Sequence, residues 1–251
     1  QGKWVSFYHH GSFAALGKEE CLQGINIRLA QAAAFLKQTD YLLITFGTAW
    51  VYRHRATGII VSNCHKFPGT DFERFRPSAE EIVQLYQPLL AGLRERNPRL
   101  KVIFTVSPIR HWKDGAHANQ MSKAILLLAT EALCRYVPQT YYFPAYEILM
   151  DELRDYRFYA DDMLHPSSVA IEYIWEKFRD TWIAPRIYDL MRRIDKLNKS
   201  LAHRPFLAES AEYLNFKKRL SEEIQALKKE NQNIWFGSDE LSSSNSSVSS
   251  V

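Results

Sequence analysis

Three short apolar runs, each cut off by a glycine or a proline, set the architecture this chain can adopt. Tyr41-Leu42-Leu43-Ile44-Thr45-Phe46 stops at Gly47, Lys101-Val102-Ile103-Phe104-Thr105-Val106 stops at Ser107-Pro108, and Tyr141-Tyr142-Phe143 stops at Pro144. Runs this short and this apolar are what buried strands require. Helical patterns stand around them. Ile25, Leu29, Ala32, Ala33 and Leu36 recur at helical spacing ahead of the first run. Ser78-Ala79-Glu80-Glu81 reads as a capping box, with Ser78 as N-cap and Glu81 at the third helical position. The helix it opens carries Ile82, Leu85, Leu89 and Leu93, and Asn97-Pro98 ends it. An Ala- and Leu-rich helix is predicted from Ala118 to Val137. A closing helix from Ser167 to Ile183, capped by Ser167 or Ser168, has Ile171, Ile174, Trp175, Phe178 and Trp182 as its inward stripe. Strands and helices alternating in this order predict an α/β fold, a parallel sheet with helices on both faces.

Pro185 breaks the pattern. Two further helical segments follow, from about Ile187 to Leu201 and from Ser210 to Asn231, the second highly charged with apolar residues at Leu214, Leu220, Ile224 and Leu227. The expected organisation is an α/β domain over 1–186, a helical C-terminal extension over 187–240, and a Ser-rich tail over 241–251, too polar to bury a core and expected to be disordered. The basic residues Lys217, Lys218, Arg219, Lys228 and Lys229 interleave with acids, which reads as a solvated helix face, and these helices are where a protein partner is expected to dock. A net charge of +4 is too small an excess to imply nucleic acid as a partner. No run reaches the ~18 apolar residues of a membrane span. Cys21, Cys64 and Cys134 have no paired spacing, so neither a disulfide framework nor a CxxC zinc site is expected. The chain begins at Gln1 rather than Met and is read as a fragment or a processed chain. With no signal in view and the thiols unpaired, the cytoplasm is the default compartment.

In an open parallel sheet, ligands bind outside the C-terminal ends of the strands. Three polar clusters sit at such ends or in the final loop. They are Gly47-Thr48-Ala49-Trp50 with Asn63-Cys64-His65-Lys66 a short loop later, then Ser107 to Gly115 with Arg110, His111 and Asp114, and then Asp162-Met163-Leu164-His165-Pro166. An imidazole acting as base needs a partner that fixes its tautomer and stabilises the imidazolium, and a carboxylate three residues earlier on a tight turn can supply it. The plain alternative is that Asp162 caps the closing helix and His165 is a surface residue. The position of the motif, in the loop before the last helix of an α/β domain, favours the chemical reading.

Asp162-Met163-Leu164-His165-Pro166 resembles the DxxHP block of SGNH (GDSL-type) hydrolases, in which the His is general base and the Asp orients it. A closer resemblance covers about two-thirds of the chain. Ile44-Thr45-Phe46-Gly47-Thr48-Ala49-Trp50-Val51-Tyr52, Asn63-Cys64-His65-Lys66, Thr105-Val106-Ser107-Pro108-Ile109-Arg110-His111, Tyr142-Phe143-Pro144-Ala145-Tyr146-Glu147 and Asp155-Tyr156-Arg157-Phe158-Tyr159 all resemble the bacterial GSCFA family. The resemblance implies a three-layer flavodoxin-like (SGNH hydrolase-like) domain with esterase or related acyl-hydrolase activity. His165 would then be general base and Asp162 its orienter, acting on a small-molecule or glycan ester.

The family string Gly-Ser-Cys-Phe-Ala, which corresponds to the nucleophile block, has its nearest match here in Gly11-Ser12-Phe13-Ala14, which lacks the Cys. Only one helix would separate a strand at Trp4–Tyr8 from the run at Tyr41, where the doubly wound order needs a further strand and helix. The nucleophile is therefore expected upstream of Gln1. SGNH enzymes carry a Gly-x-Asn-Asp turn after the strand that corresponds to Tyr41–Phe46. Here Gly47-Thr48 stands in its place, so backbone N–H groups near Gly47 and Thr48, with Asn63 as side-chain donor, are the candidate oxyanion site. The alternative gives Gly47 the role of a strand-ending turn and Asn63 that of a loop cap. Cys64 beside His65 is not a nucleophile–base pair, because adjacent residues rarely face each other. His65 and His111 are assigned to substrate binding or loop hydrogen bonding, and Asp114 is a candidate partner for His111. His65, His111 and His165 show no metal-ligand spacing, and no glycine-rich phosphate loop follows a strand, so neither metal nor cofactor is expected. The rival function is a non-catalytic binding or scaffolding module on the same fold.

Overall fold

The computed structural model describes residues 2–202, 211–231 and 234. The expected tail over 241–251 lies outside the described residues. The chain divides into two compact units, Gln1–Lys177 and Phe178–Val251.

In the first unit the three expected strands form one parallel sheet in the order β1 (Tyr41–Phe46), β5 (Lys101–Val106), β6 (Thr140–Tyr142). Register runs from Tyr41 opposite Lys101 to Phe46 opposite Val106. The central strand is mostly apolar because it is covered on both faces: Val102, Ile103, Phe104 and Val106 are all buried. Helices α2 (Ala79–Arg96) and α3 (Gly115–Tyr136) close over the sheet through two clusters. One gathers Ile82, Val106, Leu126, Ala129 and Tyr146, and the other Leu90, Leu100, Val102, Phe104 and Leu133. The result is a mixed α/β fold consistent with the flavodoxin-like three-layer arrangement. Helix α1 (Lys18–Leu36) precedes β1. The short α4 (Ala145–Glu147) runs into a π-helical turn at Ile148–Glu152, and α5 (Ser168–Trp182) follows the Asp162–His165 loop.

A second sheet was not expected. Strands β2 (Val51–His54), β3 (Ile60–Val61) and β4 (Phe72–Phe75) pair antiparallel in the order β3-β2-β4. Their runs are short and mix charge with aromatics, which hides the period-2 signal. What joins them is cross-strand: Arg53 lies opposite Glu73 in register and bonds to it at 3.1 Å. Phe7, Phe67 and Phe72 pack edge-on beneath.

Helix α2 has its capping box as expected: Glu81 N–H donates to Ser78 Oγ, and Ser78 N–H donates to Glu81 Oε2. Its inward stripe differs. Ile82, Tyr86, Leu90 and Leu93 face the core, whereas Leu85 and Leu89 are 60% and 53% exposed. The i, i+4, i+8, i+11 stripe is the one that keeps facing a single sheet, and Leu89 is turned about 100° from Leu90. In α5, Ala170 is buried and the expected Ile174, Phe178 and Trp182 are half-buried on the same face, while Ile171 and Trp175, also expected inward, are exposed. Helix α1 buries only Cys21 and Ile25. Leu22, Ile27, Leu29 and Phe35 remain exposed.

The second unit contains α6 (Tyr188–Ala202) and α7 (Ala211–Glu230), close to the segments expected from periodicity. Leu197, Leu220 and Leu227 form its core with Leu190, Ile194 and Ile224, and Arg193 bonds Glu230 at 2.8 Å across the pair. Among the described residues no helix is long and apolar enough to cross a membrane.

The phase of α2 is testable. Leu90→Ala should cost about 2–5 kcal/mol in denaturant unfolding, and Leu89→Ala no more than about 0.5 kcal/mol. Similar losses at both positions would contradict the observed stripe.

Candidate functional site

The loop from Phe158 to Ser167 is closed at its base. Tyr159 and Pro166 form an antiparallel bridge, Ala160 N–H donates to the His165 carbonyl at 2.8 Å, and Ser167 N–H donates to the Phe158 carbonyl at 2.8 Å. At its tip Met163 has a φ of 62°, a left-handed conformation that a side chain disfavours. Asp162 over-determines it. Its Oδ1 accepts the backbone N–H of Leu164 at 2.8 Å and of His165 at 2.9 Å, and its Oδ2 meets His165 Nδ1 at 2.5 Å. The two backbone donors first, and then the ring, hold the carboxyl down at about 2. A carboxylate on Nδ1 places the ring proton there and leaves the Nε2 lone pair free. Both side chains remain reachable, at 57% and 46% exposure for His165 and Asp162. Asp162 is not the cap of α5. That place falls to Ser167, whose Oγ accepts Ala170 N–H at 3.3 Å.

The ends of β1 and β5 are joined by a side chain that the sequence reading overlooked. Lys123, 1% exposed, reaches from α3 and donates to the carbonyls of Gly47 and Ser107, both at 2.6 Å. Burial lowers its ammonium to about 8. Its neighbour Ser122 bonds Thr48 Oγ1 at 3.0 Å and accepts Ala49 N–H at 2.7 Å, and Thr48 Oγ1 accepts Trp50 N–H at 3.2 Å. The Gly47-Thr48 turn is thus fixed from behind. Among the described residues no acceptor takes the backbone N–H of Gly47 or Thr48. A signal for Lys123 was present in the sequence. Asn119, Ser122, Lys123, Leu126, Thr130 and Leu133 share one helical face and all are buried, so a lysine stands in apolar phase.

His111 lies over Gly47: a Cβ added to that glycine would sit 3.9 Å from His111 Nε2. Burial and the Lys123 ammonium push His111 below its ordinary range, against the opposing pull of Asp114. Asp114 itself is not the hydrogen-bond partner of His111. Among the described residues its carboxylate oxygens are held instead by Arg74 of β4, at 2.7 and 2.9 Å. Arg74 also stacks on Trp50 at 4.0 Å. Arg110 N–H meets the Leu164 carbonyl through a long 3.5 Å bond, which brings the loop after β5 to the Asp162–His165 turn.

Asn63 and His65 lie elsewhere in the hydrogen-bond network. Asn63 Oδ1 accepts His65 N–H at 2.8 Å, Asn63 N–H donates to the Phe7 carbonyl at 3.1 Å, and His65 Nε2 bonds the Ser6 carbonyl at 2.7 Å. These bonds run to the N-terminal segment and not to Gly47, Thr48 or His165. Burial raises the Cys64 thiol, which disfavours the nucleophilic thiolate. Ser12 sits on a 3-10 turn with its hydroxyl 3.0 Å from His10 Nδ1, not at the end of a strand. Among the described residues no group of three His, Cys, Asp or Glu side chains could hold a metal ion.

Fold and site together define an α/β protein with a carboxylate-oriented histidine beside the C-terminal ends of a parallel sheet. The chain belongs to the GSCFA family: the model of that family matches residues 1–178, and the model of the GSCFA domain protein C-terminal domain matches residues 194–249. No curated protein matches the chain.

Lys123→Met should lower stability by about 2–4 kcal/mol, because it strips a charged donor from two buried carbonyls. It should also raise the His111 titration midpoint seen by NMR, since one repelling charge is gone. A folded value near 8 lies below that of an unfolded lysine at about 10.4, so wild-type stability should gain on the variant as pH rises through that window. An unmoved His111 midpoint would show that the ammonium does not act on the ring.

Proposed function

We propose that the chain carries the acid–base half of an SGNH-type acyl hydrolase of the GSCFA family. The observation that carries this reading is the 2.5 Å contact between Asp162 and His165 Nδ1 on a carboxylate already gripped by two backbone donors. His165 Nε2 takes the proton from an attacking Ser or Cys as it bonds to the ester carbonyl carbon. The oxyanion forms beside Gly47 and Thr48, whose N–H groups meet no acceptor among the described residues. The leaving alcohol then departs with the proton returned from Nε2, and water repeats the sequence to release the acid.

The nucleophile is assigned to a strand that pairs along the free edge of β1. Among the described residues β1 is paired on one side only, with β5. Tyr41 and Leu43 are 47% and 53% exposed, and α1 displays Leu22, Ile27, Leu29 and Phe35. An open sheet edge and exposed apolar helix residues are what a further strand and its crossover helix would cover. The substrate is a small-molecule or glycan ester.

In the full-length protein, His165→Ala should reduce ester turnover to background, and Asp162→Asn should lower kcat by roughly 10⁴-fold, because the wrong tautomer is then favoured. A fluorophosphonate or thiol-directed probe should label a residue on the β1-edge strand. Turnover that survives His165→Ala, or the absence of any labelled Ser or Cys, would leave a binding module as the function.

A further inference from the structure

The sheet-end arginines that lie near carboxylates are neutralised. Arg74 holds Asp114 at 2.7 Å and Arg157 holds Asp155 at 2.9 Å. Arg110 is different. Its guanidinium carbon lies 4.1 Å from the centre of the Tyr159 ring and 5.7 Å from that of Tyr156. Among the described residues it meets neither a carboxylate nor a hydrogen-bond acceptor through its side chain. A guanidinium held over an aromatic ring keeps its N–H donors free, and its planar fork matches a carboxylate with two parallel bonds.

Arg110 borders open space. Arg110, Met150 and Tyr156 line both of two cavities, of about 190 and about 210 Å³. The first is also lined by Arg154 and Asp155, but Asp155 is already tied to Arg157 and to its backbone N–H. The wall therefore has a net positive charge, with apolar Leu149 and Met150 beside it. The position matters as much as the charge. Arg110 directly precedes His111, whose ring lies over Gly47, and its own N–H reaches the carbonyl of Leu164, the residue before His165.

We propose that Arg110 is a specificity residue that binds a carboxylate carried by the substrate, so that the ester acted on is an anionic one. This takes the hydrolase reading of Asp162 and His165 as given and names the substrate class. The Tyr156 and Tyr159 rings position the guanidinium, and the two small cavities admit a compact acid. A neutral ester of the same shape would leave the guanidinium without its counter-ion.

The test reads binding apart from turnover. In the full-length protein, the Arg110 Nε–H resonance is followed by NMR during titration with succinate, with succinamide as the neutral control and inorganic phosphate as a second anion. The wild type and His165→Ala should bind succinate alike and ignore succinamide. Arg110→Gln, followed through backbone amides of the same loop, should weaken succinate binding by roughly tenfold or more. Arg110→Lys, which keeps the charge and loses the planar fork, should fall between. Thermal unfolding of each variant separates lost binding from lost fold. Equal succinate binding by wild type and a folded Arg110→Gln would overturn the proposal, as would phosphate binding without succinate binding. If succinate binding depends on Arg110 while His165→Ala leaves turnover intact, the hydrolase reading fails and the carboxylate site stands.

Discussion

Parallel strands end with carbonyl groups that point out of the sheet and need donors. At the ends of β1 and β5 one buried ammonium, Lys123, serves both, with a 2.6 Å bond to Gly47 and another to Ser107. A buried charge is costly unless it is hydrogen-bonded, and two carbonyls provide that compensation here. The consequence reaches beyond α3. Gly47 begins the turn that also contains Thr48 and Ala49, and Ser107 begins the loop that carries Arg110 and His111. A single side chain thus sets the separation of two loops that arise from different strands.

The Asp162–His165 turn is built on a different physical basis. It lies at the surface and has no packed core to hold it, so its order comes from local hydrogen bonds around one carboxylate. The same three bonds that keep Asp162 ionised also impose the left-handed backbone at Met163 and orient the imidazole. Geometry and protonation state are therefore one property of this loop. Protonating Asp162, far into the acid range, would loosen all three together.

The strands of the main sheet were legible in the sequence because they are short, mostly apolar runs ended by glycine or proline, although burial on both faces holds only for the central strand. The capping box at Ser78 was legible because its chemistry is local. In α2 and α5 the expected Ile82, Leu93, Ile174, Phe178 and Trp182 do lie inward, whereas Leu85, Leu89, Ile171 and Trp175 are apolar yet outward, since composition alone does not say which of two adjacent leucines faces a sheet. The small antiparallel sheet was hidden because its pairing rests on Arg53 opposite Glu73 and on aromatic contacts that form only once the chain has folded. At the site, Asp162 and His165 could be found because their partnership spans three residues. Lys123 was missed because its partners are distant in sequence, although its helical phase marked it.

The open side of β1 has a colloidal consequence. Among the described residues β1 is paired on one side only, and an edge strand with exposed Tyr41 and Leu43 is a template for any other strand that arrives. Natural sheets blunt such edges with lysine, proline or a bulge, and the run Tyr41–Phe46 contains none of these. For a solution of these molecules, the first competitor for that edge is an identical molecule presenting the same edge. Concentration, more than temperature, then decides how often two such edges meet.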